Sequence, residues 1–458
     1  MAVQSIDNFS KTLDPAVKAA VEDACICGTK ARAVCFENAY ANDAKVNELR
    51  DLSNAIKSTK ISENLEKAIA NLEANGVVIH YANDSKEANE IIEKILKEEN
   101  AKSVVKVKSM TSEEIELNHF LEAKGYNIIE TDLGEFIIQL RNEKPSHIVK
   151  PALHLKRQQF AKSFAEHNVA PYNDDPTAIT LSARKFLRGK YIKADVAISG
   201  ANYILAEEGG IVLCTNEGNA RFCLAGAKTH IAIAGFEKVI PSAKELSVFL
   251  NLLARSATGQ HITTYNDFVF GKGSAKNSPK KMHLVFLDNG RSEILSSDFS
   301  EILKCIRCGA CMQRCPVFRK VSGHAYRATY PGPLGIILSP LLGDNLSELR
   351  DLPKACTLCG ACQEVCPSNI PLPNLILKMR DKVKTEHLKV PNDINFFPFK
   401  ILATMPWLWK FGMTMSSLAN FVPLSWVKFG PLGRWNKSRT LPTFKGGKFR
   451  KWFARKAK

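Results

Sequence analysis

Two copies of one four-cysteine ladder carry most of the chemistry this chain can offer. CIRCGACMQRCP supplies Cys305, Cys308, Cys311 and Cys315, and CTLCGACQEVCP supplies Cys356, Cys359, Cys362 and Cys366. Each has the spacing C-x2-C-x2-C-x3-C-P, the ligand run of a cubane iron–sulfur cluster. Three thiolates in step wrap one cluster, and the fourth, offset before a proline, ligates the other. The spacing predicts two [4Fe–4S] clusters, one on Cys305, Cys308, Cys311 and Cys366, the other on Cys356, Cys359, Cys362 and Cys315. Electron transfer is the function class that follows. Zinc would need only C-x2-C pairs. A disulfide framework is not expected in a long chain whose start lacks a basic and an apolar export region. Gly309 and Gly360 leave room for backbone close to a cluster. Arg307 and Arg314 are the cations expected beside the first ladder.

A second group of polar residues follows predicted strands, where open α/β sheets bind their ligands. Lys108 and Ser109 follow SVVKV, Asn202 and Glu207 follow VAISG, and Asn216, Glu217 and Asn219 follow GIVLC. Such residues could hold an anion and polarise a carbonyl. Their structural alternative is turns, caps and solvated faces. Arg255, Arg291, His147 and His154 are further candidates. No G-x-G-x-x-G follows a strand, so no dinucleotide site is expected. Cys25, Cys27, Cys35, Cys214 and Cys223 read as small hydrophobes.

The elements that must position these groups are legible in outline. Residues 1–75 show helical periodicity, ending at Gly76. VVIHYA, SKEANEIIEKILKEE, SVVKVK, TSEEIELNHFLEAKG and YNIIETD then alternate as β-α-β-α-β, which predicts a parallel sheet flanked by helices. Thr111 or Ser112 is the expected helix cap. A strand-rich stretch follows over residues 194–290, with a tight turn at Gly209–Gly210, and HNVAPYNDDPTA is the loop before it. The 40 residues between the ladders exceed what a compact ferredoxin needs and predict a structured, helical module. The expected division is a helical region at 1–75, an α/β domain at 76–297, a dicluster domain at 298–393 and an extension at 394–458.

At 458 residues, with 45% hydrophobic and 24% charged residues, the chain has the composition of a multidomain globular protein. Its net charge of +17 is uneven, because residues 394–458 hold 13 Lys and Arg and no Asp or Glu. All five tryptophans (Trp407, Trp409, Trp426, Trp435 and Trp452) lie there too. Its apolar runs are too short to span a bilayer. Basic residues among aromatics suit an acidic groove on a partner or a membrane surface. Packing on its own domain is the structural alternative. No motif supports nucleic acid as a partner.

The strings KSMTSEEIELN (108–118), ETDLGEFIIQL (130–140), PSHIVKPALH (145–154), TNEGNARF (215–222), RSATGQHITTY (255–265) and LDNGR (287–291) stand beside the ladders and the tail strings WNKSRTLP and FRKWF. Together they resemble the lactate utilization protein B family over nearly the whole chain. The resemblance implies the iron–sulfur subunit of a bacterial system that oxidises L-lactate to pyruvate. It also implies a cysteine-rich subunit and a second LUD-domain subunit as partners. The fold it implies is a Rossmann-like LUD domain, similar to the ribose-phosphate isomerase and CoA-transferase group, before a mostly helical ferredoxin domain. The expected place is the cytoplasm, or the inner face of its membrane through the tail. AEEGG (206–210) departs from the family's AETGT and adds Glu208, SGHAY (322–326) replaces GGHAY, and the N-terminal cysteines are unusual. Two rival functions follow from the same residues. The LUD half could itself bind and oxidise a hydroxy acid, or the chain could be an assembly platform whose redox state regulates docking.

Overall fold

The computed structural model describes residues 6, 13–40, 42–271, 279–388, 397–420, 430–436, 439–440 and 443–456. Two units divide the chain, Met1–Lys389 and Val390–Lys458. In the first, three helices lead: α1 (Pro15–Ala39), α2 (Asp43–Ser58) and α3 (Ile61–Ala74). The Asp14 carboxylate accepts from Ala16 N at 2.8 Å with Pro15 at the first helical position, and Asn42 accepts from Lys45 N at 3.2 Å. Both are side-chain caps for otherwise orphaned N–H groups.

The α/β portion runs β1 (Val77–Ala82), α4 (Ser85–Glu98), β2 (Ser103–Lys106), α5 (Met110–Glu114), α6 (Leu117–Ala123), β3 (Asn127–Glu130), α7 (Leu133–Leu140), α8 (Arg157–Glu166), α9 (Pro176–Lys193), β4 (Val196–Ser199), β5 (Tyr203–Leu205), β6 (Gly210–Thr215), α10 (Asn219–Gly226), β7 (Thr229–Ala234), β8 (Val239–Ile240), α11 (Ala243–Thr258), β9 (Tyr265–Val269), β10 (Lys281–Leu287) and α12 (Arg291–Ser296). Six strands form one sheet in the order β1-β10-β7-β4-β2-β3, and every pair in it is parallel. β4 and β7 at its centre are buried at every residue, as strands covered on both faces must be. Ile92, Ile95 and Leu96 of α4 with Leu117 and Leu121 of α6 cover one face; Ala68 and Leu72 of α3 with Ala220, Cys223 and Leu224 of α10 belong to the other core.

The parallel sheet predicted from the β-α alternation is present. TSEEIELNHFLEAKG is two helices, because Glu116 between α5 and α6 adopts φ 50°, and the cap of α5 is Ser109, whose hydroxyl accepts from Ser112 N at 3.3 Å. Thr111 and Ser112, expected to cap, sit inside that helix. The four-stranded second sheet runs β8-β5-β6-β9. Its β5–β6 turn requires glycine at 209: φ is +62° and a Cβ would stand 2.4 Å from the Asn71 carbonyl carbon.

Short helices carry the ladders: α13 (Ala310–Arg314), α14 (Phe318–Val321), α15 (Gly332–Leu341), α16 (Ala361–Glu364) and α17 (Leu372–Thr385). The segment between the ladders is structured, and α15 is buried over Gly332–Pro340. A core of Tyr203, Leu205 and Val212 from the second sheet, Phe249 and Leu252 from α11, and Ile306, Cys308, Ala310 and Val365 from the ladders joins the two portions.

The second unit holds α18 (Phe397–Thr404), α19 (Pro406–Met415), α20 (Gly430–Asn436) and α21 (Lys448–Lys456). Phe397, Trp407, Phe411, Phe449, Trp452 and Phe453 are exposed. Trp426 lies outside the described residues. Among the described residues no helix is long and apolar enough to cross a membrane.

Candidate iron–sulfur centre and its adjoining cavity

The two ladders repeat one backbone design. Arg307 and Leu358, each between the first two cysteines, take φ of 59° and 56°. Their amides then point back at the first sulfur: Arg307 N lies 3.4 Å from Cys305 Sγ and Leu358 N lies 3.3 Å from Cys356 Sγ. The last cysteines are served alike, Cys315 Sγ by Phe318 N at 3.5 Å and Cys366 Sγ by Ile370 N at 3.4 Å. Amides donating to sulfur favour the thiolate and tune a bound cluster. Gly309 and Gly360, at φ +73° and +81°, turn the chain after the second cysteine.

One small, mostly apolar cavity is lined by Cys305, Cys308, Cys311 and Cys366, drawn from both ladders. Cys315 is raised by burial and by the neighbouring Cys356 and Cys359. Burial, then Cys305, pushes Cys308 up to about 12, and burial, then Cys356, pushes Cys362 up to about 12. Thiols so crowded ionise when a cation binds them. Among the described residues no three His, Cys, Asp or Glu side chains are gathered as for a single metal ion. Sulfurs spaced around a cavity, with N–H donors behind them, fit a cubane instead. Cations from distant helices hold the loops: Arg50 Nε donates to Cys366 O at 2.8 Å, Arg32 Nη2 to Val365 O at 3.3 Å and Arg380 Nη2 to Cys356 O at 2.7 Å. The ladders differ in cover, since Cys308 is buried and its counterpart Cys359 is exposed. Arg314 is exposed, whereas the Arg307 side chain is only 9% exposed.

A second cavity of about 340 Å³ lies at the carboxyl ends of β2, β3 and β4. Lys108, Ser109, Asn202, Asn216, Glu217 and Asn219 all line it, and so do Arg307 and Tyr330 of the ladder portion. Glu207 does not belong with them. It sits at the outer end of β5, pairs with Lys67 at 2.8 Å and is exposed, because the turn carries it away from the strand ends. Several lining residues also serve the fold: Asn202 Oδ1 accepts from Cys214 N at 2.9 Å, and Asn216 Oδ1 accepts from Thr264 N at 3.1 Å. Asp132, Lys150 and Lys238 line the cavity as well and carried no signal in the sequence.

The other candidates have structural partners. His147 Nδ1 accepts from Val149 N and Lys150 N at 3.0 and 3.1 Å, and burial pulls its pKa down to about 3. His154 lies between Ser146 Oγ at 2.9 Å and Glu143 at 2.8 Å. Arg255 donates to Asn251 O at 2.8 Å, and Arg291 is buried between Glu114 and Glu237. Glu208 accepts from Ala243 N, the first amide of α11, at 2.9 Å, beside the N-cap Ser242. Cys25, Cys35 and Cys223 are buried, Cys27 is exposed and Cys214 lines the cavity.

A doubly covered parallel sheet joined to twin cysteine ladders defines a class: an α/β LUD domain followed by an iron–sulfur dicluster domain. Residues 65–294 match the LUD domain family and residues 301–370 the 4Fe-4S dicluster domain. "Lactate utilization protein B" of Bacillus cytotoxicus is 41% identical over 418 residues, covering 89% of this chain and 88% of its own. Its namesake in Geobacillus thermodenitrificans is 40% identical over 90% of this chain and 89% of its own. The "Uncharacterized electron transport protein YkgF" of Escherichia coli is 42% identical over 83% of this chain and 81% of its own. The chain belongs to the lactate utilization protein B family. Among solved structures, a DUF162 family protein from Deinococcus radiodurans aligns with 50% of this chain and 98% of its own at 13% identity, with a TM-score of 0.29.

Proposed function

We propose that this protein is the iron–sulfur electron-transfer subunit of a multi-protein system that oxidises L-lactate to pyruvate. The observation that carries the reading is the cavity shared by Cys305, Cys308, Cys311 and Cys366, because a ligand set crossing between ladders is what two interlocked cubanes require. Cys356, Cys359, Cys362 and Cys315 hold the second cluster. Bound there, such clusters take up and release single electrons. Lactate oxidation releases two electrons and two protons, and two ladders give the chain room for both electrons. The amides of Arg307, Leu358, Phe318 and Ile370 stabilise the sulfurs of each ladder. Arg32, Arg50 and Arg380 anchor the surrounding carbonyls, so the loops keep their geometry as charge changes. The second ladder, with Cys359 exposed, is where electrons are exchanged with a partner.

The carbon–hydrogen bond of lactate is broken on the partners, a cysteine-rich subunit and a second LUD-domain subunit, with this chain as conduit in the cytoplasm. The C-terminal unit, with Phe449, Trp452 and Phe453 exposed among Lys448, Arg450 and Arg455, docks on an acidic partner groove. Iron and sulfide quantitation with low-temperature EPR of anaerobically purified protein tests the reading. Roughly eight irons per chain are expected. Cys308→Ala and Cys359→Ala should each abolish growth on L-lactate; colourless protein, or normal growth of both variants, would sink the proposal.

A further inference from the structure

We infer that the cavity at the strand ends binds a small organic oxyanion, carboxylate- or phosphate-headed, and that Arg307 couples its binding to the charge on the first cysteine ladder. The coupling rests on the cluster reading above; the binding does not.

The volume, about 340 Å³, is far more than one water needs and lies within the roughly 300–1,000 Å³ range of ligand pockets. Its position at the carboxyl ends of adjacent parallel strands is where such sheets bind ligands. Its lining carries four cations, Lys108, Lys150, Lys238 and Arg307, against the carboxylates of Asp132 and Glu217. An anion relieves that excess, and an apolar wall from Leu253, Ala254 and Ala257 suits an organic body. Buried polar atoms of the same lining also lack partners among the described residues: Arg307 Nη1, Thr215 Oγ1 and Asn219 Oδ1. Unsatisfied buried polar groups cost free energy, and several around one cavity mark a place where a polar ligand belongs.

Arg307 makes the cavity more than a pocket. Its side chain lines it, while its amide lies 3.4 Å from Cys305 Sγ. The guanidinium is held over the Tyr330 ring at 5.1 Å and beside Glu237 at 3.4 Å. An anion on this wall offsets the positive charge that faces the first ladder. Adding an electron to that ladder then becomes harder, and linkage demands the converse: the added electron weakens anion binding by the same factor. A tenfold weakening corresponds to about 59 mV in the potential of a one-electron couple.

The test uses full-length, anaerobically purified protein with its clusters. Calorimetry follows binding of pyruvate, L-lactate and inorganic phosphate to oxidised and electrochemically reduced protein, and potentiometric EPR follows both clusters. At least one probe should bind at one site per chain, about tenfold more weakly after reduction, with one cluster moving roughly 59 mV negative and the other unmoved. Which probes bind separates carboxylate from phosphate recognition. Lys108→Met and Arg307→Gln should each weaken binding at least ~10-fold, the cost of one lost charged hydrogen bond. Glu207→Gln, outside the cavity, should bind as wild type does. Should Arg307→Gln lose iron, Lys108→Met decides the binding. The inference is overturned if no probe binds, if Lys108→Met binds normally, or if binding leaves both potentials unchanged. Iron-free protein would instead remove the electron-transfer reading, and its isotherms would still decide the cavity.

Discussion

Glu237 and Arg307 meet across the seam between the α/β sheet and the first cysteine ladder, Oε1 to Nη2 at 3.4 Å. The other oxygen of Glu237 accepts from Arg291 Nε at 2.9 Å, and Arg291 continues to Glu114 through two bonds of 2.8 Å. Tyr330, from the ladder portion, donates to the same Glu114 at 2.9 Å. Two arginines and two glutamates thus cross the seam in a buried network that reaches the cavity only at Arg307. Burial alone would raise Glu237, yet Arg291, then Arg307, hold its carboxyl down at about 2.

Breaking that network leaves charges buried and unpaired. Glu237→Gln should cost about 3–5 kcal/mol in urea unfolding of the anaerobic protein. A loss below about 1 kcal/mol, the worth of an exposed pair, would show that water reaches the seam.

The proposed exchange of the fourth cysteine between ladders has a spectroscopic signature. Cys366→Ser should remove the same EPR signal as Cys308→Ser, although it belongs to the other ladder, and Cys315→Ser the same signal as Cys359→Ser. Pairing within each ladder instead would contradict the shared cavity.

The two ladder glycines differ in what surrounds them. A Cβ on Gly360 meets nothing within 4 Å, so Gly360→Ala should cost only the left-handed backbone, roughly 1–2 kcal/mol. A Cβ on Gly309 would stand 2.8 Å from His147 Cε1, so Gly309→Ala should cost more and deplete iron from the first ladder. Thermal midpoints and iron content read both effects.

Lys57 is buried and donates to the Glu237 carbonyl oxygen. Burial, then Lys238, pulls its pKa from 10.5 down to about 7. The unfolded chain therefore binds the extra proton between those values, and stability must rise with pH across that window. The margin of wild type over Lys57→Met should widen from pH 7 upward and stay flat below, as measured by urea midpoints from pH 6 to 9.

Phe449, Trp452 and Phe453 share one side of α21 at helical spacing and are all exposed. Replacing the three with alanine should weaken assembly with the proposed partner subunits while leaving the visible spectrum unchanged. Loss of liposome binding with assembly intact would assign the face to lipid.

The ladders were legible because cluster ligation is written in local spacing. The sheet was legible because buried strands read as apolar runs. Lys108 and Ser109 follow β2 and Asn202 follows β4, parallel neighbours that end on the same side, and Asn216, Glu217 and Asn219 follow β6 of the second sheet, whose end lies on the same cavity. Glu207 misled because its strand reverses at once, which puts it on the far end of a hairpin. The cavity's other half was not legible. Arg307 reads as a cation beside cysteines, and nothing in its neighbours says that Glu237 and a strand-end cavity lie against it. Arg32 and Arg50 sit in ordinary amphipathic helices, and their targets, Val365 and Cys366, are 333 and 316 residues away.

That separation sets an order of assembly. The helices bearing Arg32 and Arg50 leave the ribosome first, but the carbonyls they clasp are made more than three hundred residues later. The amino-terminal clamp therefore stands open until both ladders have been made. The helices made first find these partners only late in synthesis.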